Sequence, residues 1–292
     1  MNTAAPASAL PDTEQERPKL APPESRGRLS FLRLVRSEWI KFTTLRSTWW
    51  SLALVAVVSV GLSLLQASAI ASFGDDMPAA TTAEQANADA VVVIVFATVL
   101  TQLLAVIIGT INVTGEYSTG MIRSTITAAP DRIRSLLAKA LVVSVTMFVF
   151  SLIVFALAAL ITAPILPNGG VDFSDIDSSL MPLLAAALYL ALLSALGVGF
   201  GYIIRNGPGA LAVGIGIVFV APVLVLFFPM TETFDWVHQL ASYLPSNAGQ
   251  SLFMGSPMSG EALDTAPGLI AIIAWPLAAL AGGIAVLKSR DA

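Results

Sequence analysis

Residues Ser47–Gly74 read STWWSLALVAVVSVGLSLLQASAIASFG, 28 residues without one charge. A helix of roughly 20 apolar residues crosses a bilayer core, so this stretch alone predicts a membrane span. Five more charge-free runs come after it: Ala90–Gly115, Ala140–Val171, Ser178–Ile204, Asn206–Thr231 and Thr265–Leu287. The segments between them alternate in charge. Residues 1–46 hold eight Lys and Arg, whereas Asp75–Asp89 holds none and four acids. Glu116–Lys139 holds four Lys and Arg, the next loop carries only Asp172, Asp175 and Asp177, and the turn after that carries Arg205. Glu232–Asp264 has no Lys or Arg, and the tail has Lys288 and Arg290. Positively charged loops stay in the cytoplasm, so the partition predicts six spans with both termini inside.

Composition agrees. Charged residues make up 12% of the 292, against about 25% in an average soluble chain. The net charge of −4 averages a basic face and an acidic one. Cysteine is absent, which excludes disulfides and thiolate metal sites. Residues 1–28, rich in Pro, Ala and Glu, are expected to be a disordered cytoplasmic extension. An amphipathic element is expected over 29–47 and the six-span domain over 48–292. The fold class is all-α, with spans near 49–72, 90–113, 140–164, 180–204, 208–229 and 267–287.

Within 29–47, Phe31, Leu32, Val35, Trp39 and Phe42 share one helical arc, while Arg33, Glu38 and Lys41 lie away from it. Beside a span, such a helix is expected to lie in the membrane interface with its apolar arc toward the acyl chains. Trp236–Gly260 is charge-free but too polar to cross lipid alone. It is expected to form a re-entrant or interfacial helix pair against spans 5 and 6. Gly197, Gly199 and Gly201 end span 4 with a spacing that allows close helix approach, either within the chain or at a dimer seam. Pro222 and Pro276 predict kinks.

Enzymatic readings find little to stand on. An intramembrane serine protease needs a serine beside a histidine at membrane depth. The one histidine, His238, falls in an outer loop, and serines such as Ser194 lack the Gly-x-Ser-x-Gly setting. One histidine and no cysteine leave a zinc site without ligands. No Asp, Glu, Lys, Arg or His lies within a predicted span, which disfavours an ion-coupled carrier. There is no Gly-Lys dipeptide, hence no phosphate-binding loop of the Walker A type. No cofactor and no nucleic acid are expected.

The positive signal is the second basic loop, which begins Gly115-Glu-Tyr-Ser-Thr-Gly-Met-Ile-Arg-Ser-Thr125. Residues 117–128 are expected to form a short helix along the membrane. Glu116, the one acid at the inner end of a span, is expected to cap that helix, or to pair with Arg123 or with an arginine of a partner. This loop resembles the GEY-x-x-G-x-x-R-x-T loop of ABC-2 type permeases, the membrane subunits of a class of bacterial ABC transporters. Ser37–Trp50 resembles the entry segment of that family, especially of its actinobacterial members. Tyr243–Phe253 resembles the outer loop before their last span. The resemblance covers residues 29–288. It implies a permease dimer, homo- or heteromeric, in a bacterial plasma membrane. Separate ATPase subunits would drive it, and its cargo would be a drug, peptide, lipid or glycan. By position, Gly115, Glu116, Tyr117, Gly120, Arg123 and Thr125 match the family's coupling loop. The rival reading is a polytopic sensor or assembly partner without transport.

Overall fold

The computed structural model describes residues 30–73, 82–121, 131–166, 169–255 and 257–289. The extension over 1–28, and Arg123 and Thr125 with most of the 117–128 segment, lie outside the described residues. The regular structure of the described residues is all helix, joined by loops and without strands. Six helical segments are long and apolar enough to cross a membrane, which makes this a multi-pass membrane fold.

Helix α1 spans Phe31–Thr44 and α2 spans Arg46–Phe73. Helices α3, Ala83–Val95, and α4, Thr98–Ser118, come next. Helix α5 runs Arg132–Thr162. A π turn at Ile176–Leu180 leads into α6, Met181–Ile204. Span 5 is α7, Gly207–Ile215, a π turn at Gly216–Val220, and α8, Ala221–Val225. Two short helices succeed it, α9, Asp235–Ser242, and α10, Pro245–Phe253. Helix α11 closes the chain at Thr265–Ser289.

Helix α6 is the mast of the bundle. The residues of its span are 72% buried, against 22% for α2, so α6 meets protein on nearly every side and α2 meets it on one. Helices α4, α5, α11 and α10 pack around it. The glycines make this possible. A Cβ on Gly109 of α4 would lie 2.0 Å from the Ser194 carbonyl oxygen of α6. A Cβ on Gly197 would lie 2.3 Å from the Val106 carbonyl oxygen of α4. Close backbones let Thr110 Oγ1 donate to the Gly197 carbonyl at 3.2 Å. On the other flank, a Cβ on Gly199 would lie 2.6 Å from that of Ala279 in α11. The glycine run therefore serves packing inside the chain, on two neighbours at once.

Two spans differ from the hydropathy reading, and a third is irregular at its proline. Span 2 is broken: α3 ends at Val95 and α4 begins at Thr98, with Thr98 Oγ1 donating to the Val95 carbonyl at 2.6 Å. Apolar residues continue across the break, so composition does not reveal it. Span 3 starts early, because the basic turn Arg132–Lys139 is continuous with it. In span 5 the π turn sits immediately before Pro222, the place where proline deprives the helix of a backbone donor. Pro276, by contrast, stays inside an unbroken α11.

The helix pair α9–α10 forms between spans 5 and 6, but α10 beds on α6 and α11 rather than chiefly on span 5. Tyr189 of α6 is its anchor. The Tyr189 ring lies 5.4 Å from that of Phe253, over Gly249, where a Cβ would stand 2.4 Å from the ring. Its hydroxyl donates to Gln102 Oε1 of α4, and Gln102 Nε2 donates to the Val99 carbonyl at 2.8 Å. Gln102 and Tyr189 are both buried. Tyr189→Phe strands the Gln102 oxygen and is expected to cost about 1–2 kcal/mol. Thermal unfolding in detergent measures this. Tyr189→Phe with Gln102→Leu should recover most of the loss, and an unchanged melting temperature for Tyr189→Phe would refute the assignment.

At the same end of the bundle, Asn87 of α3 clasps the loop before α6. Its Nδ2 donates to the Asp172 carbonyl at 3.0 Å and to Ser178 Oγ at 2.7 Å, and its Oδ1 accepts from the Asp172 amide at 2.8 Å. Exposed Asp172 and half-buried Asp175 lie below the usual carboxylate range: amide and hydroxyl donors of Ser174 hold the first, and the hydroxyl and amide of Ser178 the second.

Candidate functional site: an ion ring at the basic end of the bundle

Helix ends carry the basic residues to one end of the bundle: the start of α2, the start of α5, and the ends of α6 and α11. Helix α1 lies against this end, packed on α5. Glu38 and Lys41, which lie off the apolar arc, face the protein, while Leu32 and Trp39 are exposed. Phe42 of the arc is buried in the main core, Val35 packs partly against it, and Phe31 stays exposed.

Glu38 turns inward because two lysines wait for it. Lys139 Nζ of α5 lies 2.6 Å from Glu38 Oε2 and 2.9 Å from Glu116 Oε1 of α4. Lys41 Nζ lies 2.8 Å from Glu38 Oε1 and 3.2 Å from Glu116 Oε1. The four groups make a closed ring of alternating sign and zero net charge. Lys139 also donates to Asn112 Oδ1 at 3.3 Å. The Glu38, Glu116 and Lys139 side chains are 5%, 5% and 3% exposed, and Lys41 is 26% exposed. Three of the four charges are thus out of water, where an uncompensated ion costs several kcal/mol. Lys41, half-buried beside them, brings the ring as a whole to zero charge.

Glu116 sits half a turn from the C-terminus of α4, the negative end of the helix dipole, where a carboxylate is disfavoured. Its two ammonium partners offset this. Glu116 therefore closes the ring with Lys41 and Lys139; the helix over 117–128 that it is expected to cap lies mostly outside the described residues. The pairing of Glu116 with Arg123 lies outside the described residues. Burial would raise the Glu38 pKa, but the Lys139 and Lys41 ammoniums outweigh it and hold the carboxyl below its usual value. Burial would lower Lys41, and the Glu38 and Glu116 carboxylates outweigh it and raise the ammonium above its usual value.

Tyr117 comes next on the adjoining face of α4. Its ring meets that of Tyr202 edge-on at 6.3 Å, and the Arg205 guanidinium stands 5.5 Å over it. Arg205 has a left-handed backbone, φ 59°, which lets its amide close α6 on the Gly201 carbonyl at 3.0 Å. Arg205 and Arg132 donate to the carbonyls of Val286 and Leu287 at 3.4 and 3.3 Å. Both cations thus cap the C-terminal end of α11, where the dipole favours them. Gly115 is helical in α4, and Gly120 has φ 72° just after it. Ser118, Thr119 and Gly120 are exposed at this end.

Of the residues singled out in the basic loop, Gly115, Glu116, Tyr117 and Gly120 are brought to one end, beside α1. What sequence reasoning missed is Lys139 and Glu38, read as a loop charge and a surface charge. The intramembrane pair Tyr189 and Gln102 was also missed, although a glutamine in an apolar span is a visible signal. Ser194 Oγ is spent on the Ala191 carbonyl of its own helix at 2.7 Å. Among the described residues, no three metal-ligating side chains gather.

No family model matches the chain, and a search of curated proteins finds no significant match. The ring and the elements it joins are therefore read from their own geometry.

Proposed function

We propose that this chain is the membrane-spanning subunit of an ATP-driven exporter, an ABC-2 type permease that works as a dimer with separate ATPase subunits in a bacterial plasma membrane. One observation carries the reading: the ion ring rigidly joins α1, the end of α4 and the start of α5, two of them being the helices that flank the 119–131 loop. A partner can bias a membrane element only through a stiff contact, and this end of the bundle offers one. The apolar spans without ionisable residues at depth fit a transporter powered from outside the membrane. In this proposal the basic end faces the cytoplasm, ATP hydrolysis belongs to the partner, and α9–α10 forms a re-entrant pair on the outer side.

Two experiments test it. In this cysteine-free chain, Ser118→Cys on intact cells is expected to resist an impermeant maleimide, while Met230→Cys, exposed at the opposite end, is expected to react. Reaction at Ser118 with protection at Met230 would invert the topology. A photo-crosslinking residue at Ser118 should then capture an ATP-hydrolysing protein with a Walker A motif, and one at Met230 should not. Capture of no such partner at Ser118, with nucleotide or without, would favour the sensor or assembly role.

A further inference from the structure

Helix α1 leaves a groove against α5. Leu32 and Trp39 form one wall, Leu141 and Val145 the other, and Arg33 and Arg36 stand in its lining. All four apolar residues are exposed, Leu32 to 75%. Leu141 and Val145 lie nine and thirteen residues into α5, about 14 and 20 Å along the helix from Arg132. Their wall thus descends along a span, where a bilayer supplies acyl chains and a soluble subunit does not reach.

The charge of the groove is one-sided. No acidic residue lines it. Glu38, the acid of α1, is turned to the opposite flank with each carboxylate oxygen held by a lysine. Asp131, at the head of α5, is engaged by Arg134 at 3.0 Å. Arg33 and Arg36, one helical turn apart and both exposed, have no carboxylate partner among the described residues. Two guanidiniums at that spacing can grip one phosphate with several donors.

We infer that this groove seats an anionic phospholipid, its phosphate on Arg33 and Arg36 and an acyl chain along Leu32, Trp39, Leu141 and Val145. A zwitterionic headgroup brings a cation to the same two arginines and is disfavoured. The inference rests on the membrane reading of the fold and holds whether or not an ATPase docks at Ser118.

Trp39 is the built-in probe. The full-length protein is placed in nanodiscs of mixed phosphatidylglycerol and phosphatidylcholine, with brominated acyl chains on one lipid at a time. Subtracting the emission of Trp39→Phe isolates Trp39. Brominated phosphatidylglycerol is expected to quench Trp39 with an apparent preference of about tenfold over phosphatidylcholine. Arg33→Gln with Arg36→Gln should reduce the preference to about onefold at an unchanged melting temperature. Arg33→Lys with Arg36→Lys should retain most of it, and Arg46→Gln should leave it within about twofold. Equal quenching by both lipids in the wild type means bulk lipid only and overturns the inference. Quenching by neither means that protein covers the groove, and overturns it as well.

Discussion

Gly197→Val is expected to lower the melting temperature of the purified protein by about 10 °C, and Gly109→Leu by at least as much. The added Cβ meets a backbone carbonyl oxygen at 2.3 Å in the first case and 2.0 Å in the second. Neither obstacle is the free end of a side chain that can swing away. Helices α4 and α6 must separate, which breaks the Thr110–Gly197 hydrogen bond and loosens the mast from its main neighbour. Overpacking of this kind costs about 3 kcal/mol. Gly61→Ala is the contrast. Nothing lies within 4 Å of a Cβ at Gly61, so the change should be neutral or stabilising by up to about 1 kcal/mol, since alanine favours the helix. A Gly197→Val protein that melts with the wild type would show that α4 and α6 do not touch as described.

The ion ring yields the second large effect. Lys139→Met leaves Glu38 and Glu116 buried with one partly exposed lysine between them, and should cost about 3–5 kcal/mol. Lys41→Met removes the ring member nearest water and should cost distinctly less, about 1–2 kcal/mol. The decisive comparison is Glu38→Met with Lys139→Met. It leaves the neutral Lys41–Glu116 pair, so the double variant should be more stable than Lys139→Met alone, with a coupling of about 2–3 kcal/mol. Strict additivity would dissolve the ring. The pH dependence has a definite sign. The lowered pKa of Glu38 contributes stability that is fully present above the ordinary carboxylate range and is lost as pH falls below that range through the folded value. The raised pKa of Lys41 contributes stability that is present below the ordinary ammonium range and is lost as pH rises beyond about 10.5. Between these limits the ring should hold, and α1 should stay on α5.

Much of the architecture could be read from hydropathy, because a bilayer demands long apolar helices and spaces its charges accordingly. The six spans, the helix pair after span 5 and the close-packing role of Gly197–Gly201 come from that demand. The features hidden from such a reading depend on partners distant in sequence. Glu38 lies off an apolar arc and looks like a surface acid, yet residues 116 and 139 draw it inward. Glu116 gives no sign in the sequence of the lysines it meets, which come from helices on either side of α4. The break before Thr98 is invisible because Phe96 and Ala97 are as apolar as the turns around them.

Helices α1 and α2 are separated by Leu45 alone, whose extended backbone, φ −77° and ψ 118°, makes the elbow. The Trp49 indole braces it from the far side by donating to the Thr43 carbonyl at 2.9 Å, one of the orphan acceptors of a helix end. A joint of one residue has two torsions, and the brace removes most of their play. Roll of the amphipathic helix and tilt of the first span are then a single mechanical coordinate, like a crank and its shaft. Helix α2, the least buried of the spans, is the one best placed to swing.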